Sequence, residues 1–341
     1  MSNPLLTRIG SIPRDSGYRD DAYWVWGSSV VKGDDGRYHM YVSRWSRELP
    51  FHPGWMSECE IAHCTAETVL GPYTFHDVAL GKRGAQYWDG QSCHNPKVVR
   101  HGDKYLLYYM GSTHPFESFF AAEDQTTRSK HCIVGRANKR VGVAVADSPD
   151  GPWTRFDAPI LPTRPNTFYS FLTSNPSAVV HADGAVLLMF KARAYEGDVH
   201  GEMTIGIAKA PHYAGPYTVV NQTPLFGPDH VGVIEDPAMW RDTEGYHMLA
   251  KDMSGAISGE RHAGILCHSA DGLDWRVDAS PKAYSKEIVW DDGEPGFLGQ
   301  MERVFPYVED GKVTTLFFAV MDGGGGFDKG KQSWNLAIPL Q

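Results

Sequence analysis

The sequence predicts an all-β protein, a five-bladed β-propeller made of four-stranded antiparallel blades. One strand pattern occurs five times, most copies close with a turn followed by an aromatic residue, and no segment keeps the 3.6-residue period of a helix. The 36 glycines and 22 prolines among 341 residues suit many short strands joined by turns. A pair of β-sandwich domains is the alternative architecture.

Each copy of the repeat has a turn that leads into an aromatic and apolar strand. The turn glycines are 66, 82, 61 and 66 residues apart, at Gly36, Gly102, Gly184, Gly245 and Gly311. A short apolar strand precedes each turn, a third strand follows, and in four copies a turn such as Gly71-Pro72-Tyr73 opens a fourth. We therefore expect one domain with blades at about 20–80, 88–160, 170–222, 230–280 and 296–341, and residues 1–19 helping to close the ring.

Composition and charge argue against some classes of binding partner. A formal net charge of −9 argues against nucleic-acid binding, and no apolar stretch reaches the roughly 18 residues of a membrane span. The first residues lack a charged segment followed by an apolar one, which predicts a cytoplasmic protein, or a periplasmic or secreted one whose signal peptide was removed. The five cysteines have no metal-site spacing, and we expect them to be reduced.

The propeller fold predicts where chemistry can occur. In each blade the first strand runs beside the central channel, so its beginning and the end of the second strand lie at the same mouth. Polar and aromatic residues recur at these positions in every blade. At the beginning of first strands they are Asp20, Asp21, Trp24, Trp26, Trp88, Asp89, His94, Asn95, Tyr169, Asn175, Glu235, Asp236, Glu302 and Arg303. At the end of second strands they are Arg44, Lys191 and Lys251.

Carboxylates that face each other across a pocket are the groups that cleave a glycosidic bond. One is protonated and helps the leaving oxygen depart, while the other activates water or attacks the sugar. Tryptophan and tyrosine suit the faces of sugar rings, and arginine and lysine suit hydroxyls or an anionic substituent. The residue set therefore predicts a carbohydrate substrate.

The chain resembles the five-bladed propeller glycoside hydrolases around family 43, with families 117, 32 and 130 as relatives. Family 43 enzymes carry their general acid in a Glu-x-Pro segment of blade four, which matches Glu235-Asp236-Pro237. Their third blade has an Asp before a Pro where this chain has Asn175-Pro176, and their first blade has the general base as Asp-Pro where this chain has Gly27-Ser28. The resemblance thus implies Glu235 as the acid and leaves the base unassigned.

Several carboxylates are candidates for the missing base. Asp89 is the first choice because blade two has the densest polar cluster; Asp20 and Asp21 come second and Glu302 third. His94 is a candidate for proton transfer, since family 117 enzymes use a histidine. We expect an exo-acting glycosidase; the alternatives are a glycoside phosphorylase that holds phosphate with Arg44, Lys191, Lys251 and Arg303, and a non-catalytic sugar-binding propeller.

Two further expectations concern metal and assembly. No cofactor is expected to be required, and no zinc or EF-hand spacing is present. The resemblance implies a structural calcium ion in the central channel, with no ligands assigned. The insertion at 110–132 predicts a loop that lines the mouth or joins two copies in a homo-oligomer.

Overall fold

The computed structural model describes residues 4–116, 126, 128–226 and 232–341, and it is a five-bladed β-propeller. The first sheet has β1 (Tyr23–Lys32), β2 (Tyr38–Ser46), β3 (Glu60–Ala66) and β4 (Thr74–Leu80). The second has β5 (Ser92–His101), β6 (Lys104–Ser112), β7 (Arg140–Ala146) and β8 (Thr154–Arg155). The third has β9 (Leu172–Val180), β10 (Val186–Glu196), β11 (Val199–Ala210) and β12 (Thr218–Val219).

The last two blades differ in size. The fourth has β13 (Ile234–Arg241), β14 (Tyr246–Asp252), β15 (Gly264–Ser269) and β16 (Arg276–Tyr284). A hairpin of β17 (Glu287–Val289) and β18 (Pro295–Phe297) leads to the fifth, which has β19 (Gln300–Glu309), β20 (Lys312–Met321) and β21 (Ser333–Pro339). The N-terminal segment bridges β21 through Tyr18 and Asn335, and Ile9 pairs with Leu340.

In the described part of the chain, three helices connect or flank the blades: α1 (Pro4–Arg8), α2 (Phe51–Ser57) and α3 (Lys130–Ala137). The second helix joins β2 to β3, and the third precedes β7. A 3₁₀ turn at Gly326–Asp328 lies between β20 and β21. No helix in the described ranges is long and apolar enough to cross a bilayer.

The hydrophobic core lies between blades. A cluster of buried side chains fills each of the five interfaces, including the interface between the first and fifth blades, where Val42 and Phe317 belong to one cluster. Both faces of a blade are therefore covered, which explains why its strands lack a clean alternation of apolar and polar residues. The closed ring brings the first strands of all five blades to one axis.

Each first strand has an irregularity at the same point. The pairing with the second strand shifts register at Trp26-Gly27, Asn95-Pro96, Asn175-Pro176, Asp236-Pro237 and Arg303-Val304. In blades two to five the first residue of the pair has a positive φ, between 47° and 59°. A proline has no N–H to donate to the ladder, so the break is built into three of the sequences. These bulges turn polar side chains toward the axis.

Candidate active site

A cavity of about 380 Å³ lies at the mouth of the central channel. Its lining contains an aromatic group and a charged group. The aromatic group, called the aromatic wall, consists of Trp26, Trp45, Phe51, Trp55 and Phe327. The charged group, called the charged wall, consists of Arg136, Lys139, Lys191, Arg193, Lys251, Arg303, Glu235, Glu302 and Asp328.

The aromatic wall is held by ring contacts. The ring of Phe51 lies 4.9 Å from that of Trp26, 5.0 Å from Trp45 and 5.2 Å from Phe327, measured between centroids. Helix α2 supplies Phe51 and Trp55, and the 3₁₀ turn after β20 supplies Phe327. Flat rings of this kind offer the apolar surface on which the C–H faces of a sugar pack. Sequence reasoning found only Trp26 of these five.

The floor of the cavity is a chain of hydrogen bonds between the bulge residues. The Asn95 amide donates to the Asn175 side-chain carbonyl at 2.9 Å, and the Asn175 amide donates to Asp236 at 2.6 Å. The Arg303 guanidinium donates to the same Asp236 oxygen. A second, smaller cavity lies along this floor and includes Gly27. The amide at Asn175 thus has a geometric role, because it donates one bond and accepts another.

In blade one the bulge pair is Trp26-Gly27, so Trp26 has the register position that Asn95, Asn175, Asp236 and Arg303 have in the other blades, and Gly27 follows it. A Cβ added to Gly27 would lie 2.8 Å from the Arg303 Cβ and 3.0 Å from its Cγ. The Arg303 side chain therefore occupies the space that a side chain at position 27 would need.

Two buried carboxylates face the cavity above this floor. Lys251 Nζ lies 2.8 Å from Glu235 Oε2 and 2.8 Å from Glu302 Oε1, so these two oxygens are no farther apart than twice that distance. Lys191 also donates to Glu235, and Arg303 Nη1 lies 3.9 Å from it. Glu235 thus has three cations around it, and Glu302 has one ion pair.

These surroundings move the pKa values of the two carboxyls in opposite directions. Burial opposes ionisation of both. For Glu235 the charges of Lys191, Lys251 and Arg303 outweigh burial and hold its pKa well below the usual range. For Glu302, burial together with the charge of Glu235 outweighs Lys251 and raises the pKa. Of the two carboxyls, Glu302 therefore holds a proton more readily than Glu235 does.

The histidines on the wall are neutral. Burial, with nearby cations, holds the pKa of His94 well below its usual range, and His94 Nδ1 lies 3.0 Å from the Cys59 sulfur. Burial lowers the pKa of His52 and of His262 to about 4, again with cations adding to the effect. None of the three supplies positive charge to the cavity at neutral pH.

The structure brings most of the predicted residues together. The wall of the large cavity includes Trp26, His94, Asn95, Asn175, Lys191, Glu235, Lys251, Glu302 and Arg303, while Asp236 lines the smaller cavity beneath. Arg136, Lys139 and Arg193 were missed by sequence reasoning. Arg136 follows the insertion whose residues 117–125 and 127 lie outside the described ranges, so the expected mouth or dimer loop is not described. The other two come from positions beside strand ends.

Asp89, the first choice for the base, lies outside the cavity, and the expectation that it faces Glu235 is wrong. Its carboxylate is fully buried beside the outer strands of blade two. It lies 2.6 Å from an Arg83 nitrogen and 3.4 Å from Arg155 Nη1, and it accepts the Tyr109 hydroxyl at 2.6 Å. These partners satisfy the charge within the blade.

Arg44 lies off the cavity because side chains alternate along a strand, so its neighbour Trp45 faces the cavity instead. The Arg44 guanidinium lies between the rings of Tyr23 and Phe75 and pairs with Glu60 at 2.9 Å.

The remaining predicted residues pack or point elsewhere. Trp24 donates to the Leu49 carbonyl, and Asp21 is exposed. Trp88 stacks on Tyr109, and Tyr169 packs against Phe190; both precede the strand whose start they were expected to mark.

The central channel fits a calcium ion poorly. Ca²⁺ takes six to eight oxygen ligands. The described lining of the smaller cavity has one carboxylate, Asp236, which already accepts from Arg303, and it contains a second cation, Lys97. No step is therefore assigned to a metal there.

A group of metal-ligating side chains lies away from the cavity, in the first blade. Ligand atoms of His39, His63 and Asp150 lie within 4.8 Å of one another. His39 Nδ1 and His63 Nε2 are 2.9 Å apart, and His63 Nδ1 lies 3.1 Å from Asp77, so both buried rings have hydrogen-bond partners. Blade four has the same chain of contacts through His247, His268 and Asp278. Because this chain of hydrogen bonds recurs in two blades, we interpret it as a structural contact between neighbouring strands.

No family model and no curated protein sequence matches the chain. Solved structures do. A family 117 glycoside hydrolase from the marine bacterium Zobellia galactanivorans superposes with a TM-score of 0.67 at 18% identity, over 99% of this chain and 91% of that one. An α-L-arabinofuranosidase from Lactobacillus brevis gives 0.58 at 16% identity, over 96% and 92%. A family 43 β-xylosidase/α-arabinofuranosidase from a compost metagenome gives 0.58 at 16%, over 98% and 92%. The fold is the one these propellers share.

Proposed function

We propose that the protein is a glycoside hydrolase that removes a terminal sugar, with Glu302 as the proton donor and Glu235 as the ionised carboxylate. The observation that carries this proposal is the carboxyl pair on one wall, whose pKa values are moved in opposite directions. The aromatic wall of the same cavity supplies a surface for the sugar, and similarity to glycosidase propellers supports the reaction class.

This assignment reverses the role that the resemblance implies for Glu235. Three cations stabilise its negative charge, so it is a poor proton donor in the free enzyme. Glu302, 2% exposed, has a raised pKa and is the better placed of the two to pass a proton to the leaving oxygen. Activity should therefore fall as the pH rises through the pKa of Glu302.

The short separation of the pair supports a double displacement. Oxygens held by one Lys251 ammonium leave little room for a water between them, and retaining enzymes have carboxyl groups about 5–5.5 Å apart. Glu235 would attack the anomeric carbon while Glu302 protonates the leaving oxygen. Water would then release the sugar with Glu302 accepting its proton. The closed floor and the small volume support action at a chain end.

Turnover of a glycoside panel tests the proposal. We expect reducing sugar from at least one substrate, and Glu302→Gln to lower kcat about 10²–10⁴-fold. An aryl glycoside with a highly acidic leaving group should restore much of that loss, because its departure needs no proton. Glu60→Gln, which removes a cation-paired carboxylate outside the cavity, is the matched control.

Two outcomes would contradict the assignment. Unchanged kcat in folded Glu302→Gln would remove it as the acid, and a first-formed sugar of inverted anomeric configuration would remove Glu235 as nucleophile. If the wild-type protein binds sugars but turns over no glycoside, the non-catalytic sugar-binding propeller is the better account.

A further inference from the structure

Three cations on the charged wall form no ion pair with any described residue. Arg136 comes from α3, Lys139 follows that helix, and Arg193 lies on β10. Among the described residues no carboxylate oxygen lies within 4.0 Å of any of them. The protein as a whole has a net charge of −9, so this local excess of positive charge runs against its composition.

The other cations of the cavity are already paired. Lys191 donates to Glu235, Lys251 bridges Glu235 and Glu302, and Arg303 donates to Asp236. The carboxylates near the floor are therefore committed to these three. The unpaired group lies on the same wall and lines the same cavity.

The unpaired cations are held in place by neutral groups. The Lys139 ammonium, in a side chain 6% exposed, lies 3.9 Å from the centre of the Trp55 ring. Arg193 Nη1 donates to the Gly201 carbonyl at 2.6 Å and lies 3.0 Å from His200 Nδ1. The Nε of Arg136 is buried and has no hydrogen-bond partner in the described part of the chain.

His200 positions the two guanidinium groups. Its Nε2 lies 3.4 Å from Arg136 Nη1, and its other nitrogen lies near Arg193. Burial and the charge of Arg193 lower the pKa of His200 to about 4, so the ring is neutral and can accept a hydrogen bond from one guanidinium at a time. The arginines are therefore oriented without being neutralised.

Holding unpaired cations away from water is unfavourable, and a bound anion removes the penalty. We propose that Arg136, Lys139 and Arg193 form a subsite for an oxyanion beside the carboxyl pair. The group bound is a carboxylate or sulfate substituent of the sugar, or inorganic phosphate. If the anion is a substituent of a sugar substrate, the inference rests on the proposed glycosidase function. Binding of an anion by itself does not depend on that function.

Guanidinium forks and an ammonium suit such groups because they donate several hydrogen bonds to clustered oxygens. Burial, reinforced by the charges of Arg136, Lys191 and Arg303 and opposed by Glu235, holds the pKa of Lys139 well below its usual range. Anion binding would raise that pKa again, so binding should be coupled to proton uptake at pH values above the pKa of Lys139 in the free protein.

Isothermal titration calorimetry of the full chain tests the subsite without any need for turnover. The probes are glucuronate and galacturonate, each against its neutral hexose, and inorganic sulfate and phosphate. We expect at least one anion to bind at least tenfold more tightly than its neutral counterpart. Repeating the titration in buffers of different ionisation enthalpy should show proton uptake.

Substitutions at the proposed subsite test which residues bind the anion. Arg193→Gln and Lys139→Gln should each weaken anion binding about 10- to 100-fold, the loss expected for a charged hydrogen bond, and leave neutral sugar affinity unchanged. Lys139→Gln should also abolish proton uptake. Lys130→Gln, an exposed lysine on the same helix, is the matched control and should leave both quantities unchanged.

Two further arms identify the source of the anion. Faster hydrolysis of uronate or sulfated glycosides than of neutral ones would place the charge on the sugar. Sugar 1-phosphate formed only with phosphate would identify a phosphorolytic reaction. There a phosphate oxygen bonds to the anomeric carbon as the glycosidic C–O bond breaks, and the proton goes to the leaving oxygen.

Equal affinity for charged and neutral probes, or anion binding that Arg193→Gln and Lys139→Gln leave intact, would overturn the subsite. Hydrolysis of neutral glycosides with no anion effect would overturn the subsite and leave the glycosidase in place. Anion binding without turnover of any glycoside would support the subsite and overturn the proposed glycosidase function.

Discussion

Charged side chains cluster around Asp89 in the second blade and also on the wall of the cavity. In the first, one carboxylate is matched by Arg83, Arg155 and the Tyr109 hydroxyl, all within the blade or its loops. In the second, six cations face three carboxylates, and three of the cations lack an acidic partner among the described residues.

The comparison teaches that burial of charge by itself does not mark a functional site. The Asp89 group has its partners and needs no ligand, whereas the cavity group is incomplete without one. Removing a charge should therefore have opposite consequences in the two regions. Three predictions follow that difference, from the largest expected change in stability to the smallest.

Asp89→Asn should destabilise the protein by about 3 kcal/mol, because it leaves the Arg83 and Arg155 guanidinium groups without their buried counter-charge. Thermal or urea unfolding measures the change. Activity per folded molecule should stay near the wild-type value, since Asp89 is not on the cavity wall. A large loss of kcat with normal stability would contradict the structural role.

Gly27→Ala should destabilise the protein by about 1–3 kcal/mol, because the new Cβ would meet the Arg303 side chain at 2.8 Å. Other glycines are unsuitable as controls. An alanine at position 33 would also meet a side chain, and an alanine at position 102 would have open space but an unfavourable positive φ. The better comparison is Gly27→Ala in an Arg303→Ala background. There most of the loss should disappear, and an undiminished loss would contradict the contact.

Lys139→Met should stabilise the protein by about 1 kcal/mol while weakening oxyanion binding about 10- to 100-fold, because it removes a buried basic group that has no ion pair with any described residue. The lowered pKa of Lys139 also determines how the stability of the wild-type protein depends on pH. The unfolded chain binds a proton that the folded one releases, so wild-type stability rises with pH up to the unfolded pKa of about 10.5. Lys139→Met should lack this rise relative to the wild type, and an identical slope would contradict it.

The sequence predicted the propeller, the blade order and the convergence of first strands, because repeated turns and strands are local signals. For the same reason, the sequence placed four charged residues at one cavity, where the structure has them: Glu235, Glu302, Lys191 and Lys251. Arg44 was placed on the wrong side because one residue of register exchanges the two faces of a strand. Arg136 and Lys139 could not be predicted, since one lies on a helix outside the repeat and the other directly follows that helix.

The aromatic wall was largely missed for a related reason. Phe51 and Trp55 belong to the connection between two strands, and a connection has no counterpart in the other blades to compare with. Trp45 lies next to the residue that was chosen. A rule that examined both neighbours at the end of each second strand would have found it.

The contact between Gly27 and Arg303 constrains how propellers with different catalytic groups can be related by mutation. An aspartate at position 27 would overlap the Arg303 side chain in its present conformation, because both would fill one small volume beside the axis. Losing the arginine first leaves buried Asp236 without its guanidinium partner, whereas gaining the acid first creates the overlap. Each change is therefore unfavourable by itself, and positions 27 and 303 are expected to change together.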